Sequence, residues 1–291
     1  MFSNTSIAYI AYSYTNLSDH TQDALKLAHR VGSGGNCGDG PSYGKWQCDV
    51  IDRGTNVGHF PSIDLIENPG VTIQLAYLGN QNMLRYAISN TGENCAPGTA
   101  PYWACYMIDL HGGGDVSMDA YNIIPSIAYY DPISGDLRFG SYIGPVTDAN
   151  CGIMGGSLYQ WRCDTIESIG KNLSRASVSL SFDGSGYPAI AYQTVPDFGQ
   201  ATLKIARPLT AYNYDIGNCG PIPPGGFMPI WLCRTVDGGG ANTSEAAFAS
   251  IGLQSNGLAI IAFTEDDNYN YTQRLMVATQ KIYSYMPVTR R

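Results

Sequence analysis

The chain has 291 residues, a formal charge of −8 and only 14% charged side chains. That balance argues against nucleic acid, whose binders cluster Lys and Arg to replace phosphate counterions, and against an anionic membrane surface. No apolar run approaches the roughly 18 residues of a membrane span. The Met1-Phe2-Ser3-Asn4 start has neither a basic nor an apolar signal region, so the chain reads as cytosolic or as a secreted protein shown without its signal.

The first strand-like run is Ile7 to Tyr14, which holds Ile10-Ala11-Tyr12. Thr21 to Val31 is the best helical candidate, but it reads better as a strand around Leu25-Lys26-Leu27-Ala28. Next come Asn36-Cys37 and then Trp46-Gln47-Cys48-Asp49-Val50-Ile51-Asp52. This order recurs along the chain. The Ala-aromatic motif returns as Leu75-Ala76-Tyr77, Ile127-Ala128-Tyr129, Ile190-Ala191-Tyr192 and Ile261-Ala262-Phe263. The third run returns as Leu84-Arg85-Tyr86-Ala87, Leu137-Arg138-Phe139-Gly140, Leu203-Lys204-Ile205-Ala206 and Leu275-Met276-Val277-Ala278. The closing W-x-C-x-x-I/V-D/E motif recurs at Trp103 to Asp109, Trp161 to Glu167 and Trp231 to Asp237. Asn94-Cys95, Asn150-Cys151 and Asn218-Cys219 precede those copies. Short Ser/Ile/Leu runs such as Ser62-Ile63-Asp64-Leu65, Ser177-Val178-Ser179-Leu180 and Ser250-Ile251-Gly252-Leu253 open the later repeats.

Each run is short, β-branched or aromatic, and bounded by Gly, Pro, Asn or Asp, which is strand-and-turn chemistry. Each repeat is therefore a four-stranded meander with strands A to D. Five such sheets arranged radially make an all-β, five-bladed β-propeller. A β-solenoid is the alternative, but its repeats are shorter. The expected single domain spans 1-291, with repeats at approximately 1-58, 59-116, 117-174, 175-244 and 245-291. The first repeat opens on a B strand and the fifth lacks N-C…W-x-C. The count is thus five B, five C, four A and four D strands. The tail Lys281 to Val288 either completes the first blade and closes the ring, or finishes the fifth and leaves an edge open for self-association.

All eight cysteines fall in these units as local pairs. Repetition pairs Cys37 with Cys48, Cys95 with Cys105, Cys151 with Cys163 and Cys219 with Cys233, one disulfide in each of four blades. Clustered zinc spacing is absent. Disulfides persist in oxidising compartments. N-x-S/T sequons at Asn4, Asn16, Asn172, Asn242 and Asn270 agree with a secreted glycoprotein.

The segment Pro125-Ser126-Ile127-Ala128-Tyr129-Tyr130-Asp131 through Gly135-Asp136-Leu137-Arg138-Phe139 resembles the repeats of many secreted bacterial and fungal proteins. Those repeats read S-I-x-L-D-x-x-G-x-P-x-I-S-Y-Y-D-x-x-x-G-D-L-K-Y-A. The resemblance covers essentially the whole chain. It implies a sialidase-like propeller topology, with lectin-like propellers as the functional analogy. Sialidase chemistry is not implied, because the S-x-D-x-G-x-T-W box is missing.

Function is less legible. The four Trp read as blade packing rather than sugar platforms. The repeated acids Asp52, Asp109, Glu167 and Asp237 read as structural, since catalytic acids are unique to their blades. Unrepeated candidates for a glycosidase pair are Asp64, Asp119, Asp131 and Glu265. His20, His29, His59 and His111 are scattered, so no metal and no cofactor is expected. Tyrosine is abundant, 21 residues against 8 Phe, and Tyr-rich loops suit adaptable contact with glycans. Tyr130, Asp131, Tyr212, Tyr214, Glu265 and Tyr269 are the candidate ligand contacts. The leading expectation is a secreted, non-catalytic, lectin-like module for a glycan or other extracellular surface ligand. A glycosidase with funnel carboxylates and a structural subunit of an extracellular assembly are the alternatives.

Overall fold

The structure, a computed structural model, describes residues 7–38, 44–67, 70–91, 95–96, 100, 102–153, 159–171, 177–194, 202–209, 216–237, 243–254, 256–267 and 272–280. Five antiparallel blades follow one another along the chain. The first holds β1 (Tyr9–Tyr14), β2 (Asp23–Arg30) and β3 (Trp46–Gly54). The second holds β4 (His59–Glu67), β5 (Val71–Leu78), β6 (Leu84–Ser89) and β7 (Trp103–Asp109). The third holds β8 (Val116–Tyr121), β9 (Ile124–Asp131), β10 (Asp136–Tyr142) and β12 (Tyr159–Ser168), with the short β11 (Cys151–Ile153) between the last two in sequence. The fourth holds β13 (Val178–Phe182), β14 (Pro188–Thr194), β15 (Thr202–Pro208) and β16 (Trp231–Asp237). The fifth holds β17 (Thr243–Leu253), β18 (Ala259–Asp267) and β19 (Thr272–Thr279). β11 pairs with both β12 and β7, and so joins the second and third blades into one nine-stranded sheet. Among the described residues the strand count is that of the repeats plus β11, in a five-bladed propeller. The segment 281–291, expected to close the ring, lies outside the described residues.

The Ser runs at the start of each repeat have a common job. An inner strand has one edge with no strand beside it, and its N–H groups need acceptors. β4 packs on β8, β8 on β13, and β13 on β17. Across each gap, side chains of one inner strand accept the backbone N–H groups of the next. Ser62 Oγ takes Met118 N at 2.9 Å, Ser117 Oγ takes Leu180 N at 2.9 Å, and Ser179 Oγ takes Ile251 N at 3.0 Å. Asp115, Asp119 and Ser177 add Val178 N, Phe182 N and Ala249 N in the same way. The ladder runs in one direction, from each blade to its successor.

The W-x-C motif binds a blade to both neighbours because of a single bulge. Pairing of the C and D strands slips by one residue after Leu25, Leu84, Leu137 and Leu203. The unpaired residue is the I/V of the motif, and Ile51, Ile108 and Ile166 are buried there. One extra residue reverses which face the next side chain takes. Trp161 and Trp231 therefore look back, edge-on to Tyr86 and Phe139 of the preceding blades, at 5.3 and 5.4 Å between ring centres. The acids look forward.

Asp52 accepts the Tyr77 hydroxyl at 2.7 Å and pairs with Arg85 at 2.6 Å, both from the second blade. Asp109 accepts the Tyr129 hydroxyl at 2.5 Å and pairs with Arg138 of the third. Glu167 accepts the Tyr192 hydroxyl at 2.5 Å and pairs with Lys204 at 2.7 Å in the fourth. In each case the Tyr and the cation are cross-strand partners. Burial, strengthened by the facing carboxylate, raises the Tyr77 and Tyr129 phenols well above the usual range and keeps them donors.

The four disulfides are those expected: Cys37–Cys48, Cys95–Cys105, Cys151–Cys163 and Cys219–Cys233. The Asn before the first Cys has a reason. Asn150 bonds both Cys163 N and Cys163 O, at 2.7 and 3.0 Å, and its amide imitates a strand neighbour for the D edge. Asn36 does the same for Cys48, and Asn218 for Cys233. Gly152 and Gly220 follow with φ of +67° and +83°, and a Cβ on either would run into the ring of Trp161 or Trp231. Glycine is required there by both conformation and space.

Candidate functional site

The repeat logic breaks at the fifth blade, and the break leaves a cleft. In the second and third blades the middle residue of the C strand, Tyr86 or Phe139, is covered by the next blade's Trp. Leu27 of the first blade shares a core cluster with Trp103. Ile205 is the counterpart in the fourth blade. The fifth repeat has no W-x-C, and among the described residues no indole covers Ile205. A cavity of about 350 Å³ remains between β15–β16 and β18–β19. Its walls are Ile205, Leu232, Val236, Ala259, Ile261 and Ala278, with Arg207, Arg234, Thr235, Thr279 and Gln280 as the polar set. This is the size and mixture of a small-ligand pocket, an apolar surface with a few placed polar groups.

Arg207 gives the cleft its charge. Its Nη2 donates to Gly257 O at 2.6 Å, while its Nε is buried without a hydrogen-bond partner among the described residues. Burial pulls the guanidinium pKa down, and Asp183 opposes the shift. A guanidinium with an unused donor beside an apolar wall can stack on a flat apolar ring face and donate to an oxygen on its edge. The acid–Tyr–cation junction is absent here too. Phe263 stands where the other blades have Tyr, and its cross-strand partner is Met276 instead of Lys or Arg.

The sequence candidates fall elsewhere. Tyr130 is buried, and its hydroxyl donates to Gly170 O at 2.7 Å. Asp131 is buried and caps the turn after β9, accepting from Ile133 N, Ser134 N and Ser134 Oγ. Glu265 lies in β18, its side chain outside the described residues. Tyr212, Tyr214, Tyr269 and the sequons Asn4, Asn172, Asn242 and Asn270 also lie outside them. Asn16 sits in a turn whose Ser18 N and Ser18 Oγ bond its own Oδ1. The cleft residues Ile205 and Arg207 were not singled out in the sequence. The signal was there: a seat residue in the fourth repeat with no Trp in the fifth.

Two of the acids expected to be unrepeated are in fact equivalents of each other. Asp64 and Asp119 sit on neighbouring inner strands at the same repeat position. Desolvation, with Asp119 adding charge repulsion, raises the Asp64 pKa to about 6. Asp119 and Asp115 are also raised by burial. All three are occupied by backbone N–H groups: Asp64 by Leu65 and Ala120, Asp119 by Ala120 and Phe182, Asp115 by Val116 and Val178. They extend the inner ladder.

The raised Asp64 pKa has a sign that can be checked. Between about pH 4 and 6 the folded protein binds more protons at Asp64 than the unfolded chain does. Its contribution is full below the unfolded value and is lost as pH rises through the folded one. Stability should therefore fall from pH 4 to 6.5 by up to about 3 kcal/mol from this group. Asp64→Asn should flatten that part of the profile in calorimetric melts. A wild-type profile superimposable on the variant's would refute the shift.

No family model matches the chain, and no curated protein matches it. Solved structures similar to it include the following three. An α-L-arabinofuranosidase from Lactobacillus brevis aligns at 9% identity, covering 94% of this chain and 90% of that one, with a TM-score of 0.41. A mutant of the Aleuria aurantia lectin, solved in complex with Fucα1-6GlcNAc, aligns at 13% identity over 96% of this chain and 79% of that one, with a TM-score of 0.43. An endo-arabinase from Bacteroides thetaiotaomicron aligns at 7% identity over 94% of each chain, with a TM-score of 0.36.

Proposed function

We propose that this protein is a secreted, lectin-like binding module that takes a saccharide in the cleft between its fourth and fifth blades. The observation that carries the reading is the vacant indole seat: a 350 Å³ apolar recess with a buried, under-used arginine. A pyranose offers the same two things an indole does, a flat apolar face and a polar edge. Four disulfides support an oxidising, extracellular setting. Among the described residues, no helix is long and apolar enough to cross a membrane.

A glycan array followed by calorimetric titration tests this. Ile205→Trp supplies the missing indole from the floor of the cleft. It should weaken binding of the array's best neutral glycan by roughly tenfold or more while the melting temperature holds. Binding unchanged in that variant would remove the cleft from the reading.

The enzyme reading rests on one observation, the Asp64–Asp119 pair with Asp64 raised to about 6. Retaining and inverting glycosidases need two carboxyls of unlike pKa with room for a sugar or water between them. Release of reducing sugar that stops in Asp64→Asn would favour it over the binding module.

A further inference from the structure

The fourth disulfide closes the longest of the four cysteine loops, with a sequence separation of 14 against 11, 10 and 12 in the others. The run from Ile216 to Cys233 holds no charged side chain. Its neck is a narrow antiparallel pair. Cys219 N donates to Trp231 O at 3.2 Å, Trp231 N to Cys219 O at 3.0 Å, and Ile230 N to Pro221 O at 3.2 Å. Its tip is the turn Pro223-Pro224-Gly225-Gly226, closed by Gly226 N on Pro223 O at 2.8 Å. Proline in the second place and Gly225 at a φ of +78° or near it in the third suit a type II turn, and Gly225 has a φ of +75°. Disulfide, prolines and turn fix the loop before anything binds it, so little ordering entropy is left to lose.

Fixed in this way, the loop holds apolar side chains out in water. Phe227 is 96% exposed, and Ile222 and Met228 are 57% and 52% exposed. A second tip on the same face does likewise. Strands alternate in a meander, so A–B turns and C–D loops leave the same end of every blade. The A–B turn of the third blade, between β8 and β9, has Asn122 and Ile123 as its two central residues, at φ of +49° and +69°. Such a turn favours Asn-Gly, and a β-branched side chain in it is strained. Ile123 is nevertheless there, and at 66% exposure packing offsets little of the strain. Strain kept at an exposed apolar tip calls for a role outside the fold. Leu275, 74% exposed on β19, belongs to the flank of the fifth blade and not to this face.

We propose that this face docks on a neutral, zwitterionic membrane surface, with Phe227, Met228 and Ile123 entering the acyl boundary. Three observations favour lipid over a protein partner. The run 216–233 has no charge to desolvate. Pro221, Pro223, Pro224 and Pro229 have no N–H, and Gly226 N and Ile230 N are bonded within the loop, which leaves few donors to carry into hydrocarbon. A protein interface would use such donors in its polar rim. The apolar side chains also stand at turn tips of two adjacent blades instead of lining a groove, and tips on one face of a disc meet a flat surface. The formal charge of −8 turns the protein away from anionic lipid and leaves neutral headgroups. Binding strength then follows the apolar area buried.

The whole chain, with its disulfides intact, is sedimented with phosphatidylcholine vesicles and with vesicles enriched in phosphatidylserine. Phe227→Ser with Met228→Ser removes one tip. Ile123→Gly removes the other and relieves its turn, so neither variant should lower the melting temperature. Wild type should bind phosphatidylcholine vesicles equally at low and high salt. The double variant should bind roughly tenfold or more weakly, and Ile123→Gly roughly threefold more weakly. Wild type left in the supernatant overturns the proposal. So does binding that needs phosphatidylserine and vanishes in high salt, or binding unchanged in both variants. Self-association of wild type, lost in Phe227→Ser and without vesicle binding, assigns the face to a second copy and overturns the lipid. Phosphatidylcholine carries no sugar, so Ile205→Trp should bind the vesicles as wild type whether or not the cleft takes a saccharide. Loss of vesicle binding in that variant would move the contact to the cleft and overturn this one.

Discussion

Asp52→Ala is expected to destabilise the protein by about 3–4 kcal/mol. The carboxylate is 1% exposed, and its removal strands the fully buried Tyr77 hydroxyl together with Arg85. Arg85 keeps 24% of its side chain in solvent, which places the cost at the lower part of the range for a broken buried pair. At this chain length that corresponds to a drop of roughly 5–7 °C in melting temperature. Replacing the whole junction as Asp52→Leu, Tyr77→Phe and Arg85→Met should recover most of the loss, because no polar group is left unpaired. Calorimetric melts of the single and triple variants decide the matter. A triple variant as unstable as the single one would mean that the acid acts through something other than this pair.

Trp161→Ala should cost about 3–5 kcal/mol, the usual range for emptying a fully buried aromatic site. The indole is 0% exposed and meets Tyr86 and Tyr142 edge-on, and its backbone opens onto Gly152, whose own position depends on the ring. The repeat offers a comparison at fixed chemistry. Leu137→Ala, at a fully buried position, should cost about 2–5 kcal/mol, while Leu275→Ala at the same repeat position should fall within about 0.5 kcal/mol. Urea melts of the pair give the answer. Equal losses would mean that the fifth blade's outer face is covered in solution.

Repetition made much of this legible. Strand number, disulfide pairing and blade order followed from four in-phase copies, because a motif repeated at a fixed place can have one geometry only. Asp183, before the Gly-rich turn at Gly184-Ser185-Gly186, caps that turn through Ser185 N and Tyr187 N. The junctions were harder to see, since each one spans two blades. Asp52 and Tyr77 look unrelated in one dimension. The clue was a paired loss: Tyr and cation both disappear in the fifth repeat, as Phe263 and Met276. Uniqueness misled in the other direction. Asp131 was chosen because it stands out from the repeat, yet it is 4% exposed, and its neighbour Tyr130 is 2% exposed. A residue can depart from a repeat to finish a local turn as easily as to meet a ligand. The Ser of each inner strand was visible, but its partner was a backbone N–H in another blade, which no side-chain pattern records.

The one-way ladder between inner strands has a consequence for how such a protein can change its size. The third blade carries acceptors for its successor, donors for its predecessor, a backward-facing indole and a forward-facing acid. A tandem duplication of the third blade would place each of these against its proper counterpart, and the enlarged ring would need no compensating mutation at its seams. Duplicating the fifth would not work so, because that unit has given up the indole and the Tyr–cation pair. Growth by copying is therefore easiest at the third blade, whose seams on both sides are complete.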